Sequence, residues 1–417
     1  MPKTIKAEEC RPINILPAFE KILEKTVYLQ ILEFIKNKHI LDNFQSGFRE
    51  NFGCESALQY VINEWKEAND KERMTGVVFL DLKRAFETVD RELLLYKLGK
   101  LGFGGKVLKW FRCYLDERKQ KVKCVNVKSG EKAINVGVPQ GSILGPILFI
   151  LYINDMGRVF KNCKYHFFAD DTVLYLDETD PVKLINKINE DLELVRIWLE
   201  NNRLKLNITK TKSMLIANQN SMKYFRDNGL AFDIQGNSLD IVSEIKYLGV
   251  IIDSSLSFKR HIDYICKKIS KKIGVLRRVS WYLSITSRKL VYNSIILPHF
   301  TYCSTILYMA NQTDLNRLQK LQNRAMRVIL KCSIYTSISG MLDCLKWLNI
   351  SQFIVYNVLI FIHKISIDTN IPEYLKHILS KFDSIHQYNT RGKHNFIIKQ
   401  AKKSATYCSV FYKGATE

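Results

Sequence analysis

Two apolar, strand-like segments of this chain each run into aspartate, and no other feature narrows its possible folds as far. The first is Gly76-Val77-Val78-Phe79-Leu80, which ends in Asp81. The second surrounds Phe168-Ala169-Asp170-Asp171, with Cys163-Lys164-Tyr165-His166-Phe167 before it and Thr172-Val173-Leu174-Tyr175-Leu176 after it. Such flanks predict a β-hairpin with both aspartates at its tip. An isolated Asp-Asp pair is most often a solvated turn. Three carboxylates at the ends of two strands build a poor core but hold divalent cations well, as a two-metal phosphoryl-transfer site requires.

At 417 residues the chain exceeds one ordinary domain, and 47% hydrophobic residues suffice for a sizeable core. A net charge of +22 points to a polyanionic partner, either nucleic acid or an anionic membrane surface. The longest apolar stretches, 143–153 (interrupted by Gly145 and Pro146) and 353–362, fall short of the roughly 18 residues that a membrane span needs, so no membrane association is expected. Met1-Pro2-Lys3-Thr4-Ile5-Lys6 is not a signal peptide. The ten cysteines are scattered, without zinc spacing, and read as reduced thiols of an intracellular protein.

Helical spacing runs through 13–38 (Ile15, Phe19, Ile22, Leu23, Val27, Ile31, Leu32, Ile35) and predicts further helices over 56–69, 91–102, 105–118, 143–157 and 181–202. Strands are expected at 76–81, in a hairpin near 120–136 turning at Ser129-Gly130, in the hairpin 164–177, and at 213–217, 232–234 and 246–252. From His261 onward the pattern is almost wholly helical. The class predicted is α+β with an appended all-α region.

Four segments stand in order: Phe79-Leu80-Asp81-Leu82-Lys83-Arg84-Ala85-Phe86, Gly137-Val138-Pro139-Gln140-Gly141-Ser142, Phe168-Ala169-Asp170-Asp171 and Tyr247-Leu248-Gly249. Together they resemble a reverse transcriptase of the LINE, or non-LTR retrotransposon, type, nearest to its jockey-like branch. Cys10-Arg11-Pro12-Ile13 and Gln45-Ser46-Gly47-Phe48-Arg49 fit the fingers of that family. Asn202-Arg203-Leu204-Lys205-Leu206-Asn207 and Lys210-Thr211-Lys212 fit its late palm, and Leu318–Ala325 a helix downstream. Any one of these motifs is weak; four in order at this spacing are specific.

The resemblance implies a right-hand polymerase fold: fingers over 1–75, a palm with a fingers insertion over 76–255, a helical thumb over 256–335 and a C-terminal helical region over 336–417. It implies two Mg²⁺ ions, replaceable by Mn²⁺, because hard cations that keep waters take carboxylates rather than His or Cys. Asp81 and Asp170 would ligate both metals, Asp171 would assist, and Leu82 would lend its backbone carbonyl. A helix N-cap is the plain alternative for Asp81. Phe86, one helical turn past Asp81, would exclude a 2′-hydroxyl; a core aromatic has the same spacing. Gln140 would lie near the incoming nucleotide and template, with Gly141 allowing close backbone approach. Arg11, and less well Lys3, would hold the triphosphate from the fingers. Lys210 would protonate the pyrophosphate leaving group, and Tyr247-Leu248-Gly249 would grip the primer.

The thumb expectation has its own support. Ile262, Ile265, Ile269, Ile273 and Leu276 form an apolar stripe, with Lys267, Lys268, Lys271 and Lys272 off it. Between Leu256 and Leu330 there are fourteen Lys or Arg against two Asp, too one-sided for a solvated face and suited to phosphate contacts.

Glu87 stands where the family mostly has Asp, and Phe168 where Tyr is also common. The chain starts almost at the Arg-Pro-Ile segment and lacks an endonuclease site before Asp81. It is therefore expected to be a fragment of a longer polyprotein, or a decayed genomic copy, with endonuclease and RNA-binding functions supplied by other segments or chains. The expected activity is RNA-directed DNA synthesis from dNTPs on an RNA template and DNA primer, in nucleus and cytoplasm. A non-catalytic nucleic-acid-binding remnant is the alternative from another class. An RNA-dependent RNA polymerase or a group II intron maturase is a further one, against which Phe86 speaks.

Overall fold

In the computed structural model, residues 13–116, 118–124, 127–367, 370–379 and 410–411 are described. Arg11 and Lys3 lie outside them. The chain opens with α1 (Ala18–Asn37), α2 (Cys54–Asp70), β1 (Met74–Leu80), α3 (Arg91–Lys100) and α4 (Gly105–Leu115). Four short strands follow: β2 (Lys119–Gln120), β3 (Lys123–Cys124), β4 (Val127–Lys128) and β5 (Lys132–Ala133). Next come α5 (Leu144–Tyr152), β6 (Lys164–Phe168), β7 (Asp171–Glu178), α6 (Pro181–Asn201), β8 (Lys212–Ile216), α7 (Gln219–Asp227) and the strands β9 (Asp233–Ile234), β10 (Asn237–Ser238), β11 (Glu244–Tyr247) and β12 (Val250–Asp253). The described residues beyond these form helices: α8 (Lys259–Val279), α9 (Ile285–Val291), α10 (Pro298–Thr301), α11 (Ser304–Leu307), α12 (Gln312–Leu330), α13 (Ile338–Leu345), α14 (Ile350–Ile367) and α15 (Glu373–Lys376).

The centre is a four-stranded antiparallel sheet in the order β6-β7-β1-β8. This agrees with the α+β class expected from the sequence. β1 is buried along its whole length because both faces of the sheet are covered. One face (Val78, Leu80, Leu174, Leu215) packs on α3, α5 and α6. The other (Val77, Phe79, Val173, Tyr175, Met214) packs on α2 and the β11–β12 hairpin. Gly76 admits this packing: a Cβ there would stand 2.6 Å from Ile188 Cδ1. α6 begins at Asp180, whose side chain accepts from the Val182 and Lys183 amides, with Pro181 preset for the first turn.

The C-terminal helices form a separate core. Ile262, Ile265, Ile269, Ile273 and Leu276 of α8, the stripe read from the sequence, are all buried there against α12. Each such side chain contributes roughly 1.5–3 kcal/mol on full burial.

Several sequence expectations are corrected. The basic hairpin pairs β2 with β5 and β3 with β4, so the chain reverses between Cys124 and Val127 rather than at Ser129-Gly130. Ser129 instead bonds back to Val122 through both its amide and its hydroxyl. The stretch 246–252 is two strands about a turn, not one strand. The apolar stripe of α1 is buried only at Ile31 and Ile35; Ile15 and Phe19 are 91% and 87% exposed. α14 extends beyond the apolar stretch 353–362 at both ends to 18 residues, and is long and apolar enough to cross a membrane by length and composition alone. Its stripe of Ile350, Ile354, Val358, Ile362 and Ile365 is buried within the protein. Cys54, Cys113, Cys163, Cys266, Cys303, Cys332 and Cys344 are free thiols.

Candidate active site

The β6–β7 hairpin closes with Phe168 paired to Asp171, leaving Ala169-Asp170 as a two-residue turn. Ala169 adopts φ +57°, the left-handed region that alanine enters only at a cost. A neighbouring segment holds it there. The Phe167 amide donates to Phe44 O (3.0 Å) and the Ser46 amide to Phe167 O (2.8 Å), so 44–46 runs as an extra parallel strand against β6. The buried Gln45 Oε1 accepts from both the Ala169 amide (3.0 Å) and the Gly47 amide (2.7 Å). Gly47 lies so close that a Cβ would fall 2.2 Å from Ala169 N. Beneath the turn, Ser46 Oγ bonds His166 Nε2 (2.9 Å) and the Tyr374 hydroxyl of α15 (2.8 Å). Burial alone pushes His166 down to about 3, so the ring is neutral at ordinary pH.

Asp81 follows β1 directly. The register ends at Leu80 opposite Thr172, which brings Asp81 level with Asp171 at one edge of the sheet. By the alternation of the pleat, both share the face that carries Phe79 and Val173. The Asp81 amide donates to Thr211 Oγ1 (3.3 Å), and its carbonyl accepts from Asn207 N (2.7 Å). The loop bearing Lys210 is thereby fastened to Asp81, with Lys210 itself exposed. Leu82 faces Leu206 in an antiparallel bridge whose bonds are made by Asp81 and Lys83. That geometry directs the Leu82 carbonyl to the other side of the strand, where β7 lies. Residues 83–88 form turns rather than a helix, and the cap of α3 is Asp90, accepting from Leu93 N. Asp81 is therefore not a helix N-cap, and Phe86 is not on a helical turn.

The Phe86 ring stacks on Phe149 (4.6 Å between centroids, 26°) and meets Phe48 edge-on at 6.2 Å. The Val138 amide donates to Phe86 O (2.9 Å) and the Gly137 amide to Val89 O (2.8 Å), joining this ring to the loop of Gln140. Arg91, buried, donates to Gly137 O, Leu115 O and Ile134 O, tying that loop to the basic hairpin. Glu24, also buried, accepts from Ile143 N (2.6 Å) and from the Tyr114 hydroxyl (2.5 Å) at the start of α5. Gln140 is half-buried, and its carbonyl accepts from Asn14 N (2.8 Å). What approaches Gly141 (φ +103°) in this structure is backbone: a Cβ there would lie 2.7 Å from Asn14 O.

Leu248 and Gly249 both have positive φ (+44° and +81°), the signature of a type I′ turn joining β11 to β12. Tyr302, between α10 and α11, donates its hydroxyl to Leu248 O (2.7 Å) and fills the space a Gly249 side chain would need. Tyr247 is buried under Asp171. Burial, and then the Asp171 carboxylate, raise its phenol well above the ordinary value. Arg49 is spent on its own loop, donating to the Asp42 and Gln45 carbonyls and lying over Phe52.

Asp81, Asp170, Asp171 and the Leu82 carbonyl make an all-oxygen donor set at one sheet edge, the chemistry that Mg²⁺ prefers. Among the described residues no three His, Cys, Asp or Glu side chains are already closed into a cation cage. The donor types fit a divalent ion. Sequence reasoning brought Asp81, Asp170, Asp171, Leu82, Phe86, Gln140, Gly141 and Lys210 forward, and the fold gathers their segments around this edge. It quoted Gln45 within the fingers segment without giving it a role, and it missed Arg91, Glu24 and Tyr302. Glu24 carried a signal, since it lies seven residues before Ile31 on the buried stripe of α1.

Residues 1–252 match the family described as reverse transcriptase (RNA-dependent DNA polymerase). The RNA-directed DNA polymerase from the mobile element jockey of Drosophila funebris is 29% identical over 338 residues, 78% of this chain and 36% of the relative. The probable RNA-directed DNA polymerase from transposon BS of Drosophila melanogaster is 27% identical over 344 residues, 79% and 37% of the two chains. The chain thus spans about a third of the length of these relatives. Among solved structures, telomerase from Candida albicans with a TWJ fragment of telomeric RNA aligns over 81% of this chain and 55% of its own, at 15% identity and a TM-score of 0.39.

Proposed function

Because this chain belongs to the reverse transcriptase family, we propose that it is the polymerase core of a non-LTR retrotransposon, extending a DNA primer on an RNA template. The observation that carries this reading is the register that sets Asp81 level with Asp171 beside the Ala169-Asp170 turn. Asp81, Asp170, Asp171 and the Leu82 carbonyl would hold two Mg²⁺ ions, with Mn²⁺ as substitute. Bound there, the ions would neutralise charge on the triphosphate and on the attacking 3′-hydroxyl. Phe86, stacked on Phe149, would exclude a 2′-hydroxyl. Gln140 would orient template and nucleotide from a loop that Arg91 and Glu24 hold still. Lys210, fastened near Asp81, would give a proton to the departing pyrophosphate, and Arg11 would hold the triphosphate. The Leu248-Gly249 turn would carry the primer, and Lys267, Lys268 and Lys271, exposed on α8, would follow the duplex backbone.

In this reading fingers, palm, thumb and C-terminal region divide at about residues 75, 255 and 335. Template, target-site nuclease and further RNA binding belong to the parent element.

The test is primer extension on RNA with dNTPs and Mg²⁺, comparing the parent chain with Asp170→Ala/Asp171→Ala. Extension by the parent and none by the variant is expected. Binding without extension by either would replace the polymerase with a non-catalytic nucleic-acid binder.

A further inference from the structure

The far end of α8 carries a surface that nucleotidyl transfer leaves without a task. Past Leu276 the chain passes through Arg277 and Arg278 into a single 3-10 turn, Ser280–Tyr282, and puts two rings into solvent: Trp281 is 77% and Tyr282 91% exposed. The end of α12 arrives at the same corner. The buried Arg288 of α9 donates to Val328 O (3.2 Å), and Lys331 holds its ammonium 5.0 Å from the centre of the Trp281 ring. The loop after Lys331, fixed by Arg327 donating to Ile334 O, exposes Tyr335 at 91%. Across 277–291 and 327–338 there are six Lys or Arg and no Asp or Glu.

Leaving such rings in water forgoes burial, and surrounding them with cations selects an anionic partner. A base-paired duplex offers phosphates and groove edges but hides the faces of its bases; only unpaired bases can stack on exposed aromatics. We propose that this corner binds single-stranded nucleic acid, with bases on Trp281, Tyr282 and Tyr335 and phosphates on Arg277, Arg278 and Lys331. The proposal rests on the template–primer reading and adds to it a site for the unpaired strand beyond the duplex.

The experiment measures fluorescence anisotropy of a blunt RNA–DNA duplex and of the same duplex with a single-stranded RNA overhang. The parent chain is compared with Trp281→Ala/Tyr282→Ala/Tyr335→Ala. The rings are exposed, so the variant should fold, and a circular dichroism melt checks this. The expected result is a loss of roughly tenfold or more in overhang affinity, with the blunt duplex changed by less than about twofold. Arg277→Gln/Arg278→Gln should instead lower the salt dependence of binding to the overhang. Overhang affinity unchanged in the triple variant overturns the proposal. So does a variant that keeps the overhang but loses phosphatidylserine vesicles, which would make the corner a membrane contact. Primer extension separates the two readings. A chain that extends with overhang affinity unmoved loses only this site, and one that needs the rings but never extends loses only the polymerase.

Discussion

Gln45 Oε1 accepts a 3.0 Å hydrogen bond from the Ala169 amide, joining a loop near the start of the chain to the turn that carries Asp170. The same oxygen takes the Gly47 amide, so one buried acceptor fixes two backbone donors. Removing it with Gln45→Ala leaves two buried amides unpaired, at about 1–3 kcal/mol each. The expected outcome is a lower melting temperature and a higher Mg²⁺ requirement for extension. An unchanged Mg²⁺ titration would show that the turn holds its shape without Gln45.

Gly47→Ala should be more damaging to primer extension than to folding, because the new methyl would fall 2.2 Å from Ala169 N and must displace the turn that carries Asp170. Gly130→Ala, in the basic hairpin where a Cβ meets nothing within 4 Å, serves as the comparison. Extension rates of the two variants, each normalised to the folded fraction, should differ by tenfold or more, or about 1.4 kcal/mol.

Phe86→Val should admit ribonucleotides, since it removes the ring that Phe149 supports while keeping an apolar side chain. The ratio of kcat/KM for dNTP over rNTP should fall by about tenfold or more. Unchanged sugar selectivity would make Phe86 an ordinary packing residue.

Acid should destabilise the protein through His166. Its folded pKa of about 3 lies below the ordinary 6.5, so between those values the unfolded chain binds the extra proton. The contribution is complete above about pH 6.5 and is lost as pH falls toward 3, at no more than about 1.4 kcal/mol per pH unit. His261, lowered to about 4 by burial and then Lys246, adds a smaller loss of the same sign. Melting temperatures of His166→Gln between pH 7 and 4 should show a shallower decline than the parent; an equal decline would assign the effect elsewhere.

Tyr302→Phe keeps the ring that packs on Gly249 and removes only the bond to Leu248 O. A stability loss of about 1 kcal/mol is expected. The KM for the primer terminus should rise while that for dNTP holds, and equal changes in both would remove the turn from primer binding.

Much of the site was legible because its chemistry is local. A strand that runs into Asp81 and a hairpin with Asp170 and Asp171 at its closing end follow from short apolar runs meeting aspartate, and the stripe of α8 follows from helical spacing. The exposed first turns of α1 show the limit of such patterns, since Ile15 and Phe19 satisfy the spacing and are nonetheless in solvent. The reversal between Cys124 and Val127 was misread because Ser129-Gly130 has turn chemistry but lies in the returning arm, where Ser129 bonds back to Val122.

The sequence by itself determined which residues could perform the chemistry, the order in which they occur, the class of the fold and the sign of the partner's charge. Each of these depends on residue type and near-neighbour spacing. Only the tertiary structure decided that Asp81 stands level with Asp171, that Gln45 holds the Ala169 turn from 124 residues away, and that Arg91 and Glu24 steady the Gln140 loop. Strand register and buried hydrogen bonds between distant segments are chosen by which backbone donors and acceptors are left unpaired once the cores close, and no local pattern records that.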